Sequence, residues 1–202
     1  MGYEYTTETI SPSHISLVPI LRSGLGMVDG KRAPLLITVT FMIKGRKTTN
    51  TSFSPQPALQ AVLPTPVPIF HLGLYREKST LQPVEYYNNL PYHSSSAPMI
   101  PPSPLTPTAH TGPSDLAILL DPIIATGATC SAAIDTLRDW GVKKVVVCAV
   151  LGSLPGLEKV AGIWSEGVEI WVGGIDAETD GKGMIRPGLG DVGDRLFGTI
   201  GK

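Results

Sequence analysis

The chain has 202 residues, 42% of them hydrophobic and 16% charged, against roughly 25% charged in an average soluble domain, which is enough for one sizeable globular domain with its own core. With 19 Pro and 22 Gly, loops take up much of the length, and long helical bundles or coiled coils are excluded. Lys+Arg 16 against Asp+Glu 17 leaves a formal net charge of -1, so there is no basic footprint for nucleic acid or an anionic membrane, and any bound anion must meet a local site.

Taken in chain order, Ile15–Leu21 (ISLVPIL) reads as a buried strand and residues 67–72 (VPIFHL) as another. Residues 115–120 (DLAILL) form a short apolar run suited to a buried parallel strand. After a Gly-containing turn, Cys130, Ala133, Ile134, Leu137 and Trp140 recur at i, i+3, i+4, i+7 spacing, which predicts a helix ended by Gly141. Residues 144–151 (KVVVCAVL) predict the next strand, 155–161 a shorter helix and 168–172 a third strand. That alternation predicts an α/β fold: a central, mainly parallel sheet flanked by helices, with right-handed crossovers.

Two stretches interrupt the order. Residues 91–114 are packed with Pro and Ser and cannot bury enough apolar surface to offset ordering, so a disordered loop is expected there. Residues 30–57 carry five of the 16 basic residues. Their apolar run 35–43 is interrupted by Thr38 and Thr40 and is too short to span a bilayer. The two cysteines, Cys130 and Cys148, form no CxxC pair and no disulfide framework. Together with the absence of a signal-peptide pattern, this points to a reducing, cytoplasmic compartment.

Four segments could carry chemistry. The first is Asp121-Pro122-Ile123-Ile124-Ala125-Thr126-Gly127-Ala128-Thr129, between a buried strand and a helix start. Small and hydroxyl residues there let successive N–H groups close on a phosphate at a helix N-terminus, and an acid at the strand's end can reach sugar hydroxyls or a metal. The same residues also read as an ordinary βα turn, with Asp121 at a strand end and Thr126 as the cap. No Lys follows the glycine, so it is not a P-loop. The second segment holds Arg22 just past a strand, with Gly24 and Gly26 behind it; a guanidinium fork there can meet a di-anion, although a surface Arg beside a glycine turn is the plainer reading. In the third, Arg76 again ends a strand, on the side where such sheets bind ligands. The fourth, residues 183–198, has five glycines and two acids, so its backbone could approach and read a flat ligand; a flexible terminal loop has the same composition.

Together these segments resemble the uracil phosphoribosyltransferase family. VPILRSGLGMVDG, GLYREKSTLQPVEYYNNLP, DPIIATGAT and PGLGDVGDRLFGT are similar to that family's signatures, in the family's order, over most of residues 13–90 and 115–200. The last is specific to the uracil branch, whereas the phosphate turn is shared more widely among phosphoribosyltransferases. The resemblance implies a type I phosphoribosyltransferase fold as one domain over residues 1–202. It also implies the pyrimidine-salvage reaction in which uracil and phosphoribosyl pyrophosphate give UMP and pyrophosphate, with Mg²⁺ carried by the substrate and no direct protein ligand. Arg22 and Arg76 would hold the pyrophosphate, and Asp121 the ribose hydroxyls. Pro122, Ile123 and Ile124 would also bind phosphoribosyl pyrophosphate, next to the 5′-phosphate cradle of Ala125, Thr126, Gly127, Ala128 and Thr129. Ile185, Gly190, Asp191 and Val192 would read the uracil edge through their backbone, with Asp191 near the ribosyl phosphate and metal water. Arg22, Arg76 and Asp191 would be the catalytic set. Such a site meets leaving-group charge with arginines and metal while an oxocarbenium-like C1 forms between fixed anchors, and it needs no protein nucleophile. Implied partners are uracil and phosphoribosyl pyrophosphate, a homodimer or higher homo-oligomer where the N-terminal arm is complete, and GTP as an effector.

The sequence departs from the family in three places. Ala128 stands where a second glycine is usual; if that position needs φ > 0 or close phosphate approach, its methyl group costs affinity. Only residues 1–17 precede VPILR, where the family has an arm and a helix, so a piece of core and of the usual dimer contact is expected to be missing. Residues 30–57 split a helix expected to run from Gly26 into Ala58-Leu59-Gln60. Deleting them restores the family-like text GMVDALQ, and the junction residues can be encoded with splice-site sequences. A retained intron, extruded as a loop, is therefore the expectation. These departures favour an alternative, a non-catalytic phosphoribosyltransferase-like ligand-binding or interaction subunit. The intact uracil segment favours the enzyme, and the net charge argues against an RNA-binding regulator.

Overall fold

The computed structural model describes residues 11, 12, 14–28, 59, 62, 63, 67–77, 79, 80, 82–91 and 112–199. The expected insertion 30–57 and all but the ends of the expected loop 91–114 lie outside the described residues.

Seven strands make the main sheet: β1 (Ile15–Leu21), β2 (Leu72–Arg76), β3 (Pro83–Asn88), β4 (Leu116–Leu120), β5 (Ile123–Ile124), β6 (Lys144–Ser153) and β7 (Val168–Asp176). They run in the order β3-β2-β1-β4-β6, with β5 and β7 also on β6. Every pairing is parallel except β2 with β3. The long β6 pairs with β4 along its first half (Leu116↔Lys144 to Leu120↔Cys148) and with β5 along its second (Ile123↔Leu151). The helices are α1 (Leu25–Val28), α2 (Ala128–Trp140), α3 (Leu154–Ile163) and α4 (Val192–Phe197), and β8 (Glu178–Thr179) pairs antiparallel with β9 (Ile185–Arg186). This is the α/β, mainly parallel architecture that the alternation predicted.

Strand periodicity divides the core between two faces. Val18 and Ile20 of β1, Ala117 and Leu119 of β4, and Val145, Val147 and Ala149 of β6 face one way, against Ile134, Leu137 and Trp140 of α2 and Leu157 and Val160 of α3. Leu17, Leu120 and Cys148 face the other way, against Met27, Val28 and Leu59. The buried face of α2 includes the predicted Cys130, Ala133, Ile134, Leu137 and Trp140, and Gly141 ends it in the left-handed region at φ 102. Val28 and Leu59 share one buried cluster, and the Val62 and Leu63 amides donate to the Leu59 carbonyl at 3.1 and 3.2 Å. Helix-type bonding therefore resumes beside α1, on the far side of residues 30–57.

Some boundaries differ from expectation. Of residues 67–72, only Leu72 belongs to a strand, and Ile69 makes one isolated parallel bridge with Leu17. That bridge is closed by the Leu17 amide on the Pro68 carbonyl at 3.0 Å and the Phe70 amide on the Leu17 carbonyl at 2.9 Å, and the continuous strand starts at Leu72 and runs on to Arg76. The strands expected at 144–151 and 168–172 extend to Ser153 and Asp176. β3, the β8–β9 hairpin and α4 were not predicted. No helix among the described residues is long and apolar enough to cross a membrane.

Candidate functional site

Parallel strands place their C-terminal ends on one side, and a cleft of about 740 Å³ opens there. Leu21 and Arg22 line it from the end of β1, Tyr75 and Arg76 from β2, Asp121 and residues 123–130 from the β4–α2 connection, and residues 181–185 and 189–193 from the tail. Every residue proposed for the site from sequence lines this cleft except Pro122. The Pro122 carbonyl instead accepts the Val150 and Leu151 amides at 3.0 and 3.1 Å, which ties the short β5 to β6.

The turn between β5 and α2 is built for a close approach. Gly127 is the N-cap residue at φ 71, with no side-chain cap bond, so Thr126 is not the cap, and it lines the cleft instead. The first N–H groups of α2 have no intrahelical carbonyl, and they carry the positive end of the helix dipole. Ala128 is the first residue of α2 and takes helical dihedrals; the position that requires φ > 0 is Gly127. The conformational half of the penalty expected at Ala128 is therefore absent, which leaves close phosphate approach as the one cost its methyl group could carry.

Asp121 directly follows β4 and is 7% exposed. Burial pushes its carboxyl up to about 7, with the hydrogen bond from the Ile123 amide pulling the other way. Near neutrality it can both accept and donate a hydrogen bond, which suits sugar hydroxyls.

Both arginines reach the tail. Arg22 Nη2 lies 3.3 Å from Asp194 Oδ1, and its guanidinium sits 5.8 Å from the centre of the Phe197 ring. Arg76 donates from Nη1 to the Gly183 carbonyl at 3.0 Å and from Nη2 to the Lys182 carbonyl at 3.4 Å. Carboxylates shape the tail: Asp180 Oδ1 accepts the Lys182 and Met184 amides, both at 2.9 Å, and Asp176 Oδ2 accepts the Gly188 amide at 3.1 Å. Those amides and the Arg186 guanidinium hold the Asp180 carboxyl below its ordinary range, the Met184 amide most of all. Asp191 caps α4, its side chain accepting the Asp194 amide at 2.9 Å. Gly188 and Gly190, at φ 61 and 72, turn the backbone between Ile185 and that cap.

The cleft also includes residues not singled out from sequence. Tyr75 and Tyr86 approach with ring centroids 6.0 Å apart, and Ser79, Lys182 and Leu189 join them on the wall. Tyr86 lies on the exposed edge strand β3, which has no apolar run to mark it. Among the described residues no group of three or more His, Cys, Asp or Glu could hold a metal ion. The two carboxylates that line the cleft, Asp121 and Asp191, fit Mg²⁺ arriving on a diphosphate, since that ion keeps phosphate and water oxygens in its shell.

Comparison with known proteins gives the same family from the whole chain. Residues 54–199 match the family model for uracil phosphoribosyltransferase. A Schizosaccharomyces pombe protein, urg2, whose name assigns it provisionally as a uracil phosphoribosyltransferase, is 38% identical over 98% of this chain and 72% of its own length. A uracil phosphoribosyltransferase of Desulfitobacterium hafniense is 32% identical over 96% of this chain and 70% of its own. In three dimensions the AQ2163 protein of Aquifex aeolicus superposes with a TM-score of 0.62 at 26% identity, covering 94% of this chain and 67% of that one. With the family's segments gathered around a single cleft and its sequence pattern running through most of the chain, this protein belongs to the uracil phosphoribosyltransferase family.

Proposed function

We propose that this protein transfers the phosphoribosyl group of phosphoribosyl pyrophosphate to uracil, giving UMP and pyrophosphate in pyrimidine salvage. The observation that carries the reading is the convergence on one cleft of four things: the α2 N-terminus, two strand-end arginines, a buried carboxyl, and a tail of the uracil-branch type. Residues 125–129 hold the 5′-phosphate with backbone N–H groups and the Thr126 and Thr129 hydroxyls. Asp121 meets the ribose hydroxyls and fixes C1 relative to that anchor. Arg22 and Arg76 meet the charge that grows on the pyrophosphate as its bond to C1 breaks. Magnesium, when bound with the substrate, supplies further charge neutralisation on the diphosphate. Ile185, Gly190, Asp191 and Val192 offer backbone groups to the uracil edge, aiming a ring nitrogen at C1 as the new bond forms.

The proposal extends to the cytoplasm as the site of action, which the cysteine usage supports, and to a homodimer or higher homo-oligomer and GTP as an effector, which the family resemblance supports. The deciding experiment supplies the purified chain with magnesium, phosphoribosyl pyrophosphate and uracil, and follows UMP by chromatography. UMP and pyrophosphate in equal amounts are expected. Turnover of a purine without turnover of uracil, or no UMP at any magnesium concentration, would refute the reading.

A further inference from the structure

Ser153 ends β6, caps the N-terminus of α3 and is fully buried. Its Oγ donates to the Ala125 carbonyl at 2.5 Å and accepts the Gly156 amide at 3.0 Å. One hydroxyl thus spends its proton on the phosphate turn and a lone pair on the helix. The surroundings leave little play. Ile123 and Ile124 are laddered to Leu151 and Gly152, a Cβ on Gly127 would lie 2.6 Å from the Gly156 carbonyl oxygen, and a Cβ on Gly156 would overlap the Ala125 carbonyl oxygen.

In a planar trans peptide the C=O and the following N–H point in opposite directions. Holding the Ala125 carbonyl towards Ser153 therefore turns the Thr126 N–H away from α3. No described group accepts that N–H, and Thr126 lines the cleft. We propose that Ser153 is a positioning residue for the 5′-phosphate site: by pinning the 125–126 peptide plane it aims the Thr126 N–H, and the amides that follow, at the phosphate. This rests on reading residues 125–129 as the 5′-phosphate cradle. The Ala at position 125 supplies no side-chain hydrogen bond of its own, so the orientation of this plane depends on a residue from another strand.

The test compares ligands that carry a 5′-phosphate with one that does not. Calorimetric dissociation constants for UMP and for magnesium pyrophosphate are measured on the wild type, Ser153→Ala, Ser153→Cys and Thr126→Val, beside steady-state KM and kcat. Ser153→Ala is expected to weaken UMP and raise the KM for phosphoribosyl pyrophosphate in parallel by about tenfold. Pyrophosphate, assigned to the Arg22 and Arg76 side chains rather than to the amides of the turn, is expected to keep its affinity within about twofold, and kcat at saturation to hold. Ser153→Cys, close in volume and a weak donor, should fold and fall between the two. Equal losses for UMP and pyrophosphate would reduce Ser153 to a general structural role and overturn the proposal. Weaker UMP binding in Thr126→Val with unchanged binding in Ser153→Ala would overturn the Ser153 proposal alone. Unchanged UMP binding in both would remove the phosphate-turn reading beneath it.

Discussion

Replacing Gly127 by alanine adds one methyl group where the phosphate turn meets α3. The residue sits at φ 71 and ψ -7, a left-handed conformation that costs a residue with a Cβ about 1–2 kcal/mol. The new Cβ would also lie 2.6 Å from the Gly156 carbonyl oxygen and 3.1 Å from Val160 Cγ2. Neither neighbour can yield easily, since Gly156 is backbone bonded to Ser153 and Val160 is fully buried. Overpacking of this kind adds about 1–3 kcal/mol. The sum, about 2–5 kcal/mol, takes a large share of a typical stability of about 5–15 kcal/mol. At about 2–4 °C per kcal/mol for a chain of this size, Tm falls by about 4–20 °C.

The neighbouring change Ala128→Gly is the control. Position 128 is already helical, so glycine costs at most about 1 kcal/mol of backbone entropy. If the methyl group obstructs close phosphate approach, its removal tightens phosphoribosyl pyrophosphate with no gain in Tm. Differential scanning calorimetry of the three proteins separates the two positions. A Gly127→Ala protein that melts with the wild type, or an Ala128→Gly protein that loses more than Gly127→Ala, would refute the assignment of the strained position to 127.

Asp121 makes stability depend on pH. Its carboxyl is raised from 3.8 to about 7 by burial, so the folded state holds that proton more tightly than the unfolded one. Stability is unaffected by this group below the unfolded pKa, falls as pH rises through the interval, and levels off at a lower value above the folded pKa. Three pKa units correspond to about 4 kcal/mol, so urea denaturation should show the ligand-free protein weaker at pH 8 than at pH 5, and Asp121→Asn should flatten that slope while lowering activity; a steeper slope in the variant would refute the reasoning. Thr126→Val should weaken phosphoribosyl pyrophosphate by at least about 1 kcal/mol through loss of a charge-assisted bond, and unchanged affinity in calorimetry would remove Thr126 from the site. Cytosine presents a donor where uracil presents an acceptor, so a backbone-lined uracil site leaves an amide unpaired and loses several kcal/mol; comparable turnover of both bases would refute base reading by Ile185 and Gly190. A variant joining Asp29 to Ala58 should melt higher than the full chain and aggregate less, because Val28 and Leu59 already share one cluster; a lower Tm would make residues 30–57 a genuine part of the domain.

The readable parts of the fold were those whose burial leaves a period in the sequence. β1, β4 and β6 are covered on both faces, so they appear as apolar runs, and α2 shows its single buried stripe at helical spacing. β3 has no such mark: it is an edge strand whose last four residues are all exposed, so its residues need not be apolar. β8 and β9 have two residues each, too few for any period. They are held by the Asp180 carboxylate on the Lys182 and Met184 amides, a contact that composition does not show.

The site divides along the same physical line. Arg22, Arg76 and Asp121 were legible because each stands at the C-terminal end of a readable strand, and a parallel sheet brings those ends together. The uracil segment was legible only through its resemblance to a family. Ser153 was not legible at all: its partner Ala125 is 28 residues away, in the turn after β5, and the chain returns to it along β6 only after the whole α2 crossover, so no local spacing encodes such a contact. The direction of the arginines was hidden for the same reason. A guanidinium has five N–H donors, and Arg76 commits its two Nη groups to the Lys182 and Gly183 carbonyls. An anion arriving at Arg76 must therefore share its donors with the tail or exchange with it. Through this one side chain, the anion end of the cleft and the segment proposed to read the base are mechanically joined.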